Sequence, residues 1–135
     1  MALGSDPDEA IREWKAELTV SPAHPQALAS IAGEYLKRHD YQVALPYAEK
    51  AVEADPRSYA AHAILGQVLS EGELDVARGI DELQTAVRLA PLQPQVHYAL
   101  AGAYTKAGRK EEAAKERAEF LKLRGHDQSA ASKPT

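Results

Sequence analysis

The sequence predicts an all-α fold, a solenoid of about seven antiparallel helices: three full helix-turn-helix repeats after an N-terminal half repeat. Three observations predict it. Pro22, Pro56 and Pro91 stand 34 and 35 residues apart, a period in the range of stacked helical hairpins. Each interval holds two stretches whose apolar residues recur at three- and four-residue steps, the spacing of one helix face. The hydrophobic content is 44%, yet only Trp14, Phe120 and six tyrosines are aromatic. The interior must then be filled by alanine and aliphatic residues on closely packed helices.

Asp6-Pro7-Asp8-Glu9 reads as a helix start, with acidic groups near the positive end of the dipole and proline tolerated in the first turn. It leads into Ala10–Val20, which Ser21-Pro22 ends. Gln26 to about Arg38 carries Leu28, Ile31, Tyr35 and Leu36 at helical spacing, and Val43–Val52 repeats the pattern with Ala44, Tyr47, Ala48, Ala51 and Val52. The polar turn His39-Asp40 joins the two, and Pro46 is expected within the first turn or so of the second, where a missing donor costs least. The pair recurs as Ala60–Glu71, with Ile64, Leu65, Val68 and Leu69, and about Asp75–Ala90, with Ile80, Leu83, Val87 and Leu89. The extra residue of this unit is expected in the Glu71–Leu74 turn, since exposed connections tolerate insertions. A third pair runs through Val96, Leu100 and Tyr104, turns at Lys106-Ala107-Gly108, and continues from about Lys110 to Arg124, with Gly125 as a left-handed cap.

These elements divide the chain into a disordered lead or expression remnant at 1–7, a single domain at 8–125, and a disordered polar tail at 126–135. The domain comprises a half repeat at 8–21 and repeats at 22–55, 56–90 and 91–125. At 135 residues there is little room for a second domain. Sixteen Lys and Arg against 20 Asp and Glu leave a net charge of −4, which argues against a nucleic-acid partner, for which a coherent basic face is needed. The absence of cysteine removes disulfides, thiolate metal sites and a thiol nucleophile. No apolar run approaches about 18 residues and Met1–Ser5 lacks the pattern of a secretion signal, so no direct membrane insertion is expected. The compartment is left open, cytoplasmic by default if the chain is complete.

The residues resemble the tetratricopeptide repeat family. Its pattern places an apolar-small pair midway through the first helix, a large residue three further on, a small, a bulky and a small residue in the second helix, and a closing proline. The first unit offers Ile31-Ala32, Tyr35, Ala44, Tyr47, Ala51 and Pro56; the second offers Leu65-Gly66, Leu69, Gly79, Leu83, Ala86 and Pro91. The third offers Leu100-Ala101, Tyr104 and Ala113, then departs with Arg117, Phe120 and Gly125. Ala10, Trp14 and Pro22 resemble the second half of a further repeat. The resemblance implies a right-handed solenoid, with Ala32, Gly66 and Ala101 facing Ala44, Gly79 and Ala113 where helices must come within about 8–10 Å. The charged last helix reads as the solvating end of the array.

In this family the first helices line a concave surface. That face is expected to carry Gln26, Ala29, Ser30, Gly33, Leu36 and Lys37, then Ala60, Ala63, Ile64, Gln67, Ser70 and Glu71, then Gln95, Tyr98, Ala99, Gly102, Thr105 and Lys106. Family members that grip acidic C-terminal tails do so with lysine, arginine and asparagine here; the matching places hold Ala29, Gly33, Ile64, Gln95 and Ala99. A small, nearly uncharged floor suits a helix or apolar-faced peptide, with amides supplying orientation. The expected function is a non-catalytic protein–protein interaction scaffold whose partner is another protein or peptide.

No cofactor, catalytic or metal site is expected. His62 and His97 occupy equivalent places in consecutive first helices, about 8–10 Å apart, too far to share a zinc ion. No phosphate-binding glycine loop, nucleophile elbow or two-histidine zinc helix appears. Two further readings stand beside the scaffold. One is a self-assembly module stacking through its terminal helices as a weak homo-oligomer, since the segment through Pro22 carries five acids and two bases and Arg109–Arg124 six bases and four acids. The other is an accessory domain of a larger enzyme.

Overall fold

The computed structural model describes residues 6–132, with side-chain surroundings through residue 125. These residues form seven helices, α1 (Pro7–Val20), α2 (Pro25–Lys37), α3 (Tyr41–Ala54), α4 (Tyr59–Glu71), α5 (Val76–Leu89), α6 (Pro94–Lys106) and α7 (Lys110–Ser132). Hairpins α2–α3, α4–α5 and α6–α7 stack in order behind α1, and α2, α4 and α6 lie side by side as one layer. Among the described residues there is no strand, and no helix is long and apolar enough to cross a membrane.

The proline period has a local cause. Each link between hairpins is a four-residue turn with proline second: Ser21–His24, Asp55–Ser58 and Ala90–Gln93. The fourth amide donates to the first carbonyl at 3.0, 3.1 and 3.2 Å respectively. Proline is pre-set for that position and pushes the preceding residue out of the helical region; Ser21, Asp55 and Ala90 have φ of −135°, −146° and −141°. Four of the starts are capped by side chains, as the Asp6 carboxylate, the His24 ring Nδ1, the Ser58 hydroxyl and the Asp75 carboxylate accept from the amides of Asp8, Ala27, Ala61 and Arg78.

Within each hairpin the turn uses one left-handed residue, His39 (φ 62°), Glu73 (φ 54°) or Gly108 (φ 76°). The chain then donates back across the helix end, from Asp40 to the Tyr35 carbonyl at 2.9 Å, Leu74 to Leu69 at 3.0 Å, and Arg109 to Tyr104 at 2.8 Å. The 35-residue spacing arises in the second of these turns, which spans Gly72–Asp75 where the others span Arg38–Asp40 and Ala107–Arg109.

The core runs along the stack as three clusters: Leu28 with Ala51 and Ala61, Ala32 with Ala48, Leu65 and Leu69, and a larger one joining Ile80 and Leu83 to Leu100, Tyr104 and Ala113. Each crosses from one repeat to the next, so the stack is held by inter-repeat burial as well as by hairpin packing. At the α4–α5 crossing Gly66 meets Gly79. A Cβ on Gly66 would lie 2.5 Å from Leu83 Cγ and 2.9 Å from the Gly79 carbonyl oxygen, and a Cβ on Gly79 would lie 2.8 Å from the Gly66 carbonyl oxygen.

Five expectations are corrected. Pro46 is the sixth residue of α3, beyond the first turn; it leaves the Gln42 carbonyl without an intrahelical partner, and both residues are exposed, so water can supply that bond. Gly125 is not a left-handed cap, because α7 continues to Ser132 and Gly108 is the one described glycine with positive φ. A helix-interior glycine costs only about 1 kcal/mol, and the next proline is Pro134. The helical 126–132 thus falls where a disordered tail was expected, whereas 133–135 lie outside the described residues. At the other end 1–5 also lie outside them, and Asp6 and Pro7 belong to the start of α1. Finally, at the bulky position of the second helices, helix starts equate Tyr47 with Glu82 and Glu116 and not with Leu83 and Arg117, one residue from the pattern-based match, while Ala44, Gly79 and Ala113, and Ala51, Ala86 and Phe120, stay in register.

Candidate functional site

The layer of first helices carries an open depression of about 380 Å³ between α1, α2 and α4. Of the residues expected on this surface, Gln26, Ala29, Ser30, Gly33, Lys37, Ala60 and Ile64 line it together. The spacing of α2 puts Gln26, Ala29, Ser30, Gly33 and Lys37 on one face at three- and four-residue steps. From α4, Ile64 reaches across so that its Cδ1 lies 3.8 Å from where a Gly33 Cβ would be. Gln26 and Ser30 make no side-chain hydrogen bond among the described residues, so their polar groups are open to a ligand.

The other expected residues are placed elsewhere. Ala63 and Ala99 pack half-buried against the Leu83–Leu100 core cluster, and Leu36 is half-buried outside the depression. Ser70 is corrected outright: it is 2% exposed and its hydroxyl donates to the Gly66 carbonyl, inside the α4–α5 crossing. Gln67 is engaged, donating to Glu71 at 3.2 Å. On α6, Gln95, Tyr98 and Gly102 are exposed but do not border the depression, and Tyr98 packs in a tilted contact with Phe120 of α7 at 5.0 Å between ring centres.

Two lining residues were not on the sequence-derived face, Trp14 and Glu34. The single tryptophan was readable as unusual, but its approach to α2 depends on how α1 docks. Glu34 pairs with Lys37 at 3.2 Å, so the depression carries one positive and one negative group that answer each other. Farther along the same edge Lys106 pairs with Glu73 at 2.9 Å, and this hydrogen bond raises the Lys106 pKa above its ordinary value.

The helices carrying this surface are anchored by a repeated polar clip. His62 Nε2 lies 2.7 Å from the Pro56 carbonyl oxygen and its Nδ1 2.7 Å from Glu82 Oε1. His97 makes the same contacts, both 2.7 Å, with Pro91 and Glu116. A carbonyl only accepts, so Nε2 donates; the carboxyl contact then closes with one further proton shared between Nδ1 and the carboxyl group. Both ring nitrogens are therefore spent within one repeat. No group of three or more His, Asp or Glu able to hold a metal occurs among the described residues. In the first repeat the equivalent positions are Leu28 and Tyr47, which pack in one apolar cluster.

A family model described as the tetratricopeptide repeat matches residues 30–80 and 71–123. Solved structures of MamA share the fold. The one spanning residue 41 to the end, from Desulfovibrio magneticus RS-1, superposes with a TM-score of 0.78 at 26% identity, covering 90% of this chain and 68% of that one. An RS-1 MamA double mutant gives 0.79 at 26% identity, covering 93% and 70%. MSR-1 MamA gives 0.73 at 23% identity, covering 90% and 69%. No curated protein matches the sequence directly.

Proposed function

The chain belongs to the tetratricopeptide repeat family, a protein-interaction fold, and from that premise we propose that it is a non-catalytic scaffold receiving an amphipathic helix or apolar-faced peptide in the depression between α1, α2 and α4. The observation that carries this reading is the lining. Ala29, Gly33, Ala60 and Ile64 present small or apolar surface, and Lys37 and Glu34 neutralise each other. A carboxylate-rich ligand would have to leave its charges unanswered there, whereas an apolar helix face buries area on both sides and gains about 25 cal/mol per Å² removed from water. The unengaged Gln26 and Ser30 suit the polar groups at the edge of such a helix.

The test is binding to an array of amphipathic helical peptides with acidic C-terminal peptides as competitors, for the parent chain and for Ala60→Arg with Gly33→Arg. A Cβ on Gly33 meets only Ile64 Cδ1 at 3.8 Å and Ala60 is exposed, so the variant is expected to keep its helical content and melting temperature while losing peptide binding. Preference for the acidic peptides, or binding unchanged in the folded variant, would overturn the reading.

A further inference from the structure

The outer side of the last hairpin presents residues that, in the two preceding repeats, seat the repeat that follows. Ala29 and Val52 of the first repeat pack against the cluster in which Leu28 and Ala51 meet Ala61 of α4, and Ala63 and Val87 of the second pack against the cluster in which Ile80 and Leu83 meet Leu100 of α6. By helix starts the third-repeat equivalents are Tyr98 and Leu121. They are 61% and 62% exposed, and Phe120 packs tilted against Tyr98 beside them. The end expected to be purely solvating is therefore an apolar seat. Its charge has one sign: Lys110, Arg117 and Arg124 recur every seven residues, two turns of helix, along the exposed face of α7 that holds Leu121. None of the three pairs with a carboxylate among the described residues.

The opposite end of the molecule is complementary. On α1 the buried Ile11 faces inward, and the reverse side carries Glu9, Glu13, Ala16 and Val20 at steps of four, three and four, all exposed, Val20 by 83%. Glu9 and Glu13 have no cationic partner among the described residues. We propose that a second copy of this chain lays α1 against the α6–α7 end, with Val20 and Ala16 on the Tyr98–Leu121 patch and the α1 carboxylates along the α7 cations. Such a contact joins different faces of the two copies, so it extends as an open head-to-tail series instead of stopping at a dimer. Exposed ion pairs are weak and screened, so association is concentration-dependent and favoured by low salt. This inference is independent of the depression and its ligand.

The experiment is sedimentation velocity of the full chain over a concentration series, at about 0.01 M and about 1 M salt, where charges act over roughly 30 Å and 3 Å respectively. The parent chain is expected to form species beyond the dimer at low salt and to be monomeric at high salt. Arg117→Glu with Arg124→Glu, and separately Glu9→Lys with Glu13→Lys, should each be monomeric with unchanged helical content. An equal mixture of the two should associate again, since each then meets the opposite charge. The depression variant, Ala60→Arg with Gly33→Arg, should associate like the parent. A parent chain monomeric throughout, a salt-resistant closed dimer, a charge-swapped mixture that stays monomeric, or association lost only in the depression variant would each overturn the proposal.

Discussion

Replacing Gly66 by alanine sets two opposed effects against each other. In a helix interior, alanine is favoured over glycine by about 1 kcal/mol. At Gly66 the added Cβ would stand 2.5 Å from Leu83 Cγ, 3.1 Å from Leu83 Cδ1 and 2.9 Å from the Gly79 carbonyl oxygen. The last is backbone and cannot swing aside, and Leu83 is fully buried in the core shared with α6. Relief requires α4 and α5 to separate, and overpacking of this kind costs about 1–3 kcal/mol. With two contacts below 3 Å the upper part of that range applies, so Gly66→Ala is expected to destabilise by about 1–2 kcal/mol net. Gly33→Ala and Gly102→Ala are the internal controls: their Cβ atoms meet Ile64 Cδ1 at 3.8 Å and nothing within 4 Å. They should stabilise by up to about 1 kcal/mol. Urea unfolding followed by circular dichroism reads all three. A Gly66→Ala variant as stable as the parent, or three variants shifting in the same direction, would refute the claim that the α4–α5 crossing is set by backbone contact.

Pro46→Ala should stabilise, by about 1–3 kcal/mol, because it restores an amide opposite the exposed Gln42 carbonyl in the interior of α3; thermal melting checks it, and no gain would show that the Pro46 ring contributes contacts of its own. His62→Leu should cost about 1.5–3 kcal/mol, since it strips partners from Glu82 and the Pro56 carbonyl. Adding Glu82→Tyr, which reproduces the Leu28–Tyr47 pair of the first repeat, should recover more than half of the loss in denaturant unfolding. Additive losses in that double variant would mean that the clip and the apolar pair are not interchangeable solutions to one packing position.

Much of the architecture was legible because it rests on local rules. Pro22, Pro56 and Pro91 mark turns in which proline's φ and its effect on the preceding residue suffice, without help from distant contacts. Gly66 marks a close crossing because a Cβ there would meet Leu83 and the Gly79 carbonyl, and Ala32 and Ala101 are buried at the equivalent places. Local rules misled where an alternative was equally cheap. Gly125 permits a cap but does not compel one, and α7 runs through it. Ser70 has the spacing of a surface residue, but a small hydroxyl that can bond its own helix backbone is also suited to the tight α4–α5 crossing.

The candidate site was half legible. Helical periodicity assigned Gln26, Ala29, Ser30, Gly33 and Lys37 to one face of α2, and the structure keeps them together. It could not foresee that Trp14 of α1 walls the depression, that Gln67 is spent on Glu71, or that Ala63 and Ala99 serve the seam between repeats. The repeat period, helix content, turn positions and the small residues at crossings follow from the sequence alone, since each depends on neighbours within a few residues. Which face each helix buries against the next repeat, how His62 and His97 reach Glu82 and Glu116, and the pairing of Tyr98 with Phe120 at an open end were decided by the tertiary structure, because they join groups about 20 residues apart whose distance no local pattern encodes.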